Sequence, residues 1–168
     1  RKRVQDLLYA VKILNQTQNA NFILFIVGAG PQYETLKQIS VDLHIDHLVQ
    51  FKGYISDQKL FSLLEASDVF ILPSSYEGHP ITVLEAMAYG CLIITSNIDQ
   101  VRDIITNNKN GLIYPVGNIA ELYNALKSSF EDDGLTQRLS SQARIDSLDY
   151  SWITVANKYN EIYTKNIA

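Results

Sequence analysis

The sequence predicts an α/β fold, a doubly wound parallel sheet with helices on both faces. Two observations carry this: short apolar runs alternate repeatedly with stretches whose apolar residues recur at helical spacing, and most of the runs, "HLVQFKG" excepted, are continuous rather than alternating with polar residues. No internal repeat, low-complexity segment or linker divides the chain.

In order, Val4, Leu7, Leu8, Val11 and Leu14 recur at helical spacing and give an amphipathic helix of about three turns. "NFILFIVGAG" reads as a strand buried on both faces and ending in glycines. Tyr33, Leu36, Ile39 and Leu43 mark a second helix, "HLVQFKG" a strand, and "DQKLFSLLEAS" a helix with Ser56 as its N-cap. "DVFILP" is another buried strand, "ITVLEAMAYG" a helix stopped by Gly90, and "CLIITS" a strand. A short helix near "QVRDIIT", the turn "NNKNG" and the small strand "LIYP" follow. Ile119, Leu122, Leu126 and Phe130 form one helical face, and "LTQRLSSQARID" and "WITVANKYNEIY" complete a helical tail over about 134–168. A strand should precede the first helix, and in a doubly wound sheet the first strand is central. That strand is expected to be missing, and the chain opens without Met, so the sequence reads as a piece of something longer.

With 168 residues, 46% of them hydrophobic, this is one domain able to bury a substantial core. A net charge of −4 excludes a nucleic-acid or polybasic membrane surface. No apolar run approaches the roughly 18–20 residues that span a bilayer, and the amphipathic N-terminus is no signal peptide. The lone Cys91 beside "LIIT" is expected to be a buried, inert thiol. These features fit a cytoplasmic domain.

Two glycine-rich junctions are candidates for ligand binding. "VGAGP" follows a strand and precedes a helix, but a dinucleotide fingerprint needs a small third residue where this chain has Tyr33. It reads better as a turn at the carboxyl edge of the sheet. "PSSYEGHPITVLEAMAYG" is richer, because it is a strand, a loop and a helix N-terminus in succession. The free amides of Ile81, Thr82 and Val83 and the helix dipole favour an anion such as a diphosphate. Glu85, one turn in, suits vicinal hydroxyls such as a ribose, and Glu77, on the loop, reaches beyond the phosphates. Together they describe a nucleotide-sugar site. Spacing alone leaves a second reading open, in which Glu85 complements the helix dipole and Glu77 is solvated.

The wording of the motif resembles the donor-binding motif of family-4 retaining glycosyltransferases of the GT-B fold. "FIVGAGPQYETL", "LVQFKGYIS", "LFSLLEASDVFILPS", "NGLIYPVGNIAELYNAL" and "SWITVANKYNEIY" look like successive landmarks of that family's Rossmann-like C-terminal domain. The resemblance implies that residues 1–168 are a single nucleotide-sugar-binding domain of a two-domain enzyme, whose N-terminal acceptor domain lies outside this sequence. It implies transfer of a glycosyl group from a UDP- or GDP-type donor to a glycan, lipid-linked or other hydroxyl acceptor, with retention, in polysaccharide or glycoconjugate biosynthesis. Glu85 would hold the ribose hydroxyls, and Glu77 would sit beside the reacting sugar carbon as the catalytic carboxylate. The backbone at Gly78, His79, Pro80, Ile81, Thr82 and Val83 would meet sugar and diphosphate. Lys2 would neutralise the leaving diphosphate without a metal, and Gly28, Gly30, Gly53 and Tyr54 would flank the base. Membrane association, at the inner face, would come only through the absent part, and the chain alone would be inactive. A sugar-nucleotide epimerase, a glycogen or starch synthase, or a non-catalytic nucleotide-binding module are the alternatives.

The chain departs from the family pattern at Arg3, where a glycine usually follows the lysine, at Asp99 and Gln100, which replace glycines, and at Asp103, where a glutamate is common. The family's upstream arginine has no counterpart here. His79 reads as a packing or backbone contact rather than an acid–base group. His44 and His47 read as a surface turn, and Trp152 and Tyr159 as packing residues.

Overall fold

The computed structural model describes residues 1–18 and 21–165. Strand and helix alternate as expected: α1 (Val4–Thr17), β1 (Leu24–Val27), α2 (Tyr33–Asp42), β2 (Val49–Gly53), α3 (Asp57–Glu65), β3 (Val69–Leu72), α4 (Ile81–Ala88), β4 (Leu92–Ser96), α5 (Asp99–Arg102), β5 (Leu112–Tyr114), α6 (Ile119–Glu131), α7 (Asp133–Ser147) and α8 (Trp152–Lys165). Every strand pair is parallel. β1 pairs with β2, Leu24 opposite Val49, and β3, β4 and β5 form a second sheet with Val69 opposite Leu92 and Ile94 opposite Leu112.

β4 organises the core. Its side chains alternate between faces, and the two sets enter separate clusters: Leu92 and Ile94 join Leu7, Leu8, Val11 and Leu14 of α1 and Leu122 of α6. Ile93 joins Val83, Ala86 and Met87 of α4 and Val101 of α5. Each fully buried Leu or Ile contributes about 1.5–3 kcal/mol, so this one strand clamps helices to both of its faces. Cys91, just before it, is buried as expected, and burial, reinforced by the charge of Asp68, pushes its thiol up to about 11.

β1 does not meet expectation. Leu24, Phe25 and Ile26 are half-buried and Val27 is 41% exposed, not buried on both faces. The reason is its place in the sheet: among the described residues β1 pairs only with β2, and β3, also half-buried over Val69–Ile71, only with β4. β4, flanked by strands on both edges, is buried throughout. Apolar composition alone cannot tell a central strand from an edge one.

Several termini follow the sequence closely. Gly90, at φ 79°, lets the amides of Gly90 and Cys91 turn back to Met87 and Ala86 and close α4. Asn118 and Asp132 cap α6 and α7 by accepting from the amides of Glu121 and Leu135. Ser56 holds the N-cap position of α3, but its hydroxyl makes no capping bond. Tyr33, where a dinucleotide site would need glycine, packs edge-on against Phe51 of β2 at 5.7 Å between ring centroids.

The helical tail divides in two. In α7, Leu139 and Ala143 are fully buried against the two core clusters. Along α8, Trp152 is 88% and Tyr159 58% exposed. This corrects their reading as packing residues: the helical spacing is present, but the described residues lay no core against that face. Residues 166–168 of the expected tail lie outside the described residues. No helix among the described residues is long and apolar enough to cross a membrane.

The helix expected through Thr106 stops at Arg102; the amides of Ile104 and Ile105 still turn back to Val101 O, and the Thr106 amide is taken by the side chain of Asn110. Asn110 is buried, accepts from the Thr106 amide at 2.7 Å, and donates to Ile104 O at 3.0 Å and to Asp146 Oδ2 at 2.8 Å. It thereby ties the α5–β5 connection to α7. Replacing Asn110 with Ala strands three partners and should cost about 2 kcal/mol in urea unfolding. A loss below roughly 0.5 kcal/mol would mean that the connection does not depend on it.

Candidate functional site

At its carboxyl end β3 runs into Pro73 and Ser74, both buried, and residues 75–80 form the loop before α4. Glu77 lies in that loop yet is only 7% exposed. A buried carboxylate must be paired and hydrogen-bonded, and here two groups meet that demand. Ser74 Oγ donates to Glu77 Oε1 at 2.5 Å, and Lys2 Nζ donates to Oε1 at 2.7 Å and to Oε2 at 2.9 Å. Lys2 reaches this point because the N-terminal segment is pinned to the same loop. Both the amide and the hydroxyl of Ser75 donate to Arg1 O, at 2.9 and 3.2 Å. Behind the loop, Ser96 at the end of β4 donates its hydroxyl to Ser74 O. Burial by itself would raise the Glu77 carboxyl. The hydrogen bonds from Lys2 and Ser74, with the charges of Lys2 and Arg1, outweigh it and hold the group below the ordinary carboxylate value. The Lys2 side chain is half-exposed, so water screens its charge, whereas the Ser74 bond is enclosed.

Glu85 is half-buried one turn into α4. Its carboxyl is raised, first by burial and then by the charge of Asp57. Asp57 opens α3, shortly after the Gly53–Tyr54 turn in the sequence. Glu77 and Glu85 are thus shifted in opposite directions: the first is lowered by its hydrogen-bond donors and nearby cations, the second raised chiefly by burial.

The first turn of α4 is partly closed on itself. The Ile81 amide donates to His79 O and the Val83 amide to Pro80 O, both at 2.9 Å. The Thr82 amide meets no acceptor among the described residues. Gly78 and His79 are exposed, with open space around Gly78, and Pro80 is buried. At the other sheet the Gly28 amide donates to Gly53 O at 2.8 Å, joining the ends of β1 and β2. Tyr54 beside them is 85% exposed, and Gly30 stands in open space with its carbonyl taking the Tyr33 amide. The structure therefore joins Lys2 to Glu77 and Gly28 to Gly53. His44 and His47 are exposed on the turn after α2, and no cluster of metal-binding side chains occurs among the described residues.

Sequence reasoning missed Ser74, Ser96 and Asp57. Ser74 carried a usable signal, a small hydroxyl residue at a strand end three positions before a loop carboxylate. Asp57 and Ser96 carried none, since their neighbours come from other elements.

Arg3, which stands where a glycine was expected, keeps a backbone suited to glycine, left-handed at φ 49° and ψ 32°. Its guanidinium turns away from Glu77: Nε donates to Asp6 Oδ2 at 2.6 Å, and Nη2 lies so close over Gly117 that a Cβ there would sit 2.7 Å from it.

The chain and its fold have counterparts among known proteins. Residues 1–146 match the model of a family described as "Glycosyl transferases group 1". A glycogen synthase from Mycobacterium tuberculosis is 30% identical over 163 residues, which is 96% of this chain and 39% of that protein. The chain thus spans about two fifths of that relative. Sucrose-phosphate synthase from Thermosynechococcus elongatus superposes with a TM-score of 0.86 at 23% identity, over 99% of this chain and 43% of the other. An Anabaena protein, HepE, solved in complex with UDP, superposes with a TM-score of 0.86 at 22% identity, over 98% and 45%. At these identities the two structures establish the fold alone.

The left-handed Arg3 makes a direct test of local strain. Arg3→Ala keeps the strained backbone and loses the Asp6 pair, whereas Arg3→Gly relieves the strain. Thermal unfolding should find Arg3→Gly more stable than Arg3→Ala by about 1 kcal/mol. Equal stability would mean that the backbone at this position relaxes.

Proposed function

We propose, from the premise that this chain belongs to the group 1 glycosyl transferases, that it is the nucleotide-sugar-binding domain of a two-domain retaining enzyme. A further strand ahead of Arg1 and an acceptor-binding half complete that enzyme. The observation that carries the reading is the Lys2–Glu77–Ser74 cluster at the carboxyl end of β3, beside the N-terminus of α4. Ligands of such sheets bind at that edge. A carboxylate held ionised there can accept a sugar hydroxyl and stabilise positive charge developing at the anomeric carbon.

The ligand lies along the edge. Glu85 takes the ribose hydroxyls, the first turn of α4 and Lys2 take the diphosphate, and Glu77 takes the sugar. Lys2 has three donors, of which Glu77 uses two, so one remains for a phosphate oxygen. With a helix N-terminus beside it, this ammonium can stabilise the departing diphosphate without a metal ion. The turn at Gly53 and the exposed Tyr54 accommodates the base. UDP in the HepE complex supports a pyrimidine diphosphate as the first ligand to try. The 30% identity to a glycogen synthase supports a second reading, a glucan-extending enzyme of the same fold.

Calorimetry of this chain with UDP, GDP and ADP separates these readings. Binding of UDP or GDP supports the transferase, a preference for ADP supports the glucan synthase, and no binding of any supports a non-catalytic module. Glu85→Ala should weaken nucleotide binding roughly tenfold to a hundredfold. Glu77→Ala should leave it intact and, in the complete enzyme, lower kcat by about a hundredfold or more. Equal loss of nucleotide affinity in both variants would contradict the assigned roles, and turnover by the isolated chain would contradict the need for an acceptor half.

A further inference from the structure

The two oxygens of the Glu77 carboxylate are not equivalent. Oε1 accepts from both Ser74 Oγ and Lys2 Nζ, which fills its two lone-pair directions, while Oε2 accepts from Lys2 alone. Ser74 is itself immobilised. It is fully buried, and its carbonyl takes the hydroxyl of Ser96, which also leans on Leu72 O at 3.5 Å. The neighbouring Thr95 hydroxyl donates to the same Leu72 carbonyl at 3.3 Å. The ends of β3 and β4 are therefore laced by side-chain hydroxyls above the last backbone pair, Leu72 opposite Thr95. The only hydroxyl proton of Ser74 emerges from this lacing on Glu77.

We propose that Ser74 is a positioning residue: by holding Oε1 against the buried strand ends, it presents Oε2 as the oxygen that accepts a hydroxyl of the donor sugar. This rests on the reading of Glu77 as the sugar-facing carboxylate. Ser74 itself touches no ligand and acts through Glu77. Without its hydroxyl, the carboxylate is free to turn about its terminal bond, with Lys2 as its remaining partner, and that partner is half-exposed and mobile on a flexible stem. The same loss removes one of the groups that keep Glu77 ionised, leaving Lys2 and the charge of Arg1 against burial.

The test begins with carboxyl carbon NMR of this chain, the Glu77 resonance assigned by its loss in Glu77→Gln. Ser74→Ala should move the Glu77 titration midpoint up by about one pH unit, and Ser74→Thr, which keeps the hydroxyl, should return it towards the original value. Ser74→Cys fills nearly the same space with a weak donor and serves where Ser74→Ala does not fold. A midpoint unchanged in Ser74→Ala or Ser74→Cys overturns the proposal. In the complete enzyme with UDP-glucose or GDP-mannose as donor, Ser74→Ala should lower kcat about tenfold with donor KM within about threefold, and shift the acidic limb of the pH–rate profile upward. A loss confined to KM, or a profile that does not move, also overturns it. Undiminished turnover by Glu77→Gln would instead sink the role of Glu77, an outcome the titration does not depend on.

Discussion

The demand of one buried carboxylate draws three separate parts of the chain to one point. Glu77 is excluded from water in a loop, and an unpartnered carboxylate there would neutralise itself or force the loop open. Its partners come from the end of β3 through Ser74 and from the N-terminal segment through Lys2, with β4 behind them through Ser96. Only the Ser74 bond is local, three residues from Glu77; the Lys2 and Ser96 contacts come from distant parts of the chain. The loop conformation between β3 and α4 therefore depends on the sheet beneath it and on residues 74–75 positions away in sequence.

That dependence is safe because β4 is rigid. Its alternating side chains hold a cluster on each face, so the strand ends cannot shift without opening two cores at once. α4, which carries Glu85, packs Val83, Ala86 and Met87 into one of those cores and keeps Ile81 and Thr82 outside. The helix is thus fixed along the same edge as the Glu77 loop. With Glu77 buried in its loop and the inner face of α4 packed into the core, the relative placement of Glu77 and Glu85 is set by packing rather than by loop length.

The alternation of strand and helix, the stop at Gly90 and the strand–loop–helix at Glu77 were legible in the sequence, because each is a local pattern with a local cause. Apolar periodicity found α8 but could not say what lies against it, and Trp152 is exposed. Composition marked β1 as a buried strand, yet burial depends on which strands flank it. At the candidate site, the two glutamates were singled out by their place around a helix N-terminus, and Lys2 only through the resemblance to a known family. The lacing of Ser74, Ser96 and Thr95 was not, since hydroxyl residues at strand ends are common and only the pairing of β3 with β4 gives these ones a shared purpose.

Lys2 connects the structure to the proposed chemistry. A diphosphate brings further negative charge beside Glu77, and two anions in a partly dry site repel strongly. The repulsion is tolerable only where a cation lies between them. On the proposed reading Lys2 takes that place, since it lies against Glu77 and keeps a half-exposed flank. Arg3 cannot substitute, because its guanidinium is committed to Asp6 and stacked over Gly117. Its charge is turned aside while its backbone keeps the left-handed turn that starts α1 and delivers Lys2 to the loop. On the proposed reading, then, an arginine at a glycine position is compatible with the site, because what the site needs from that position is the turn of the backbone.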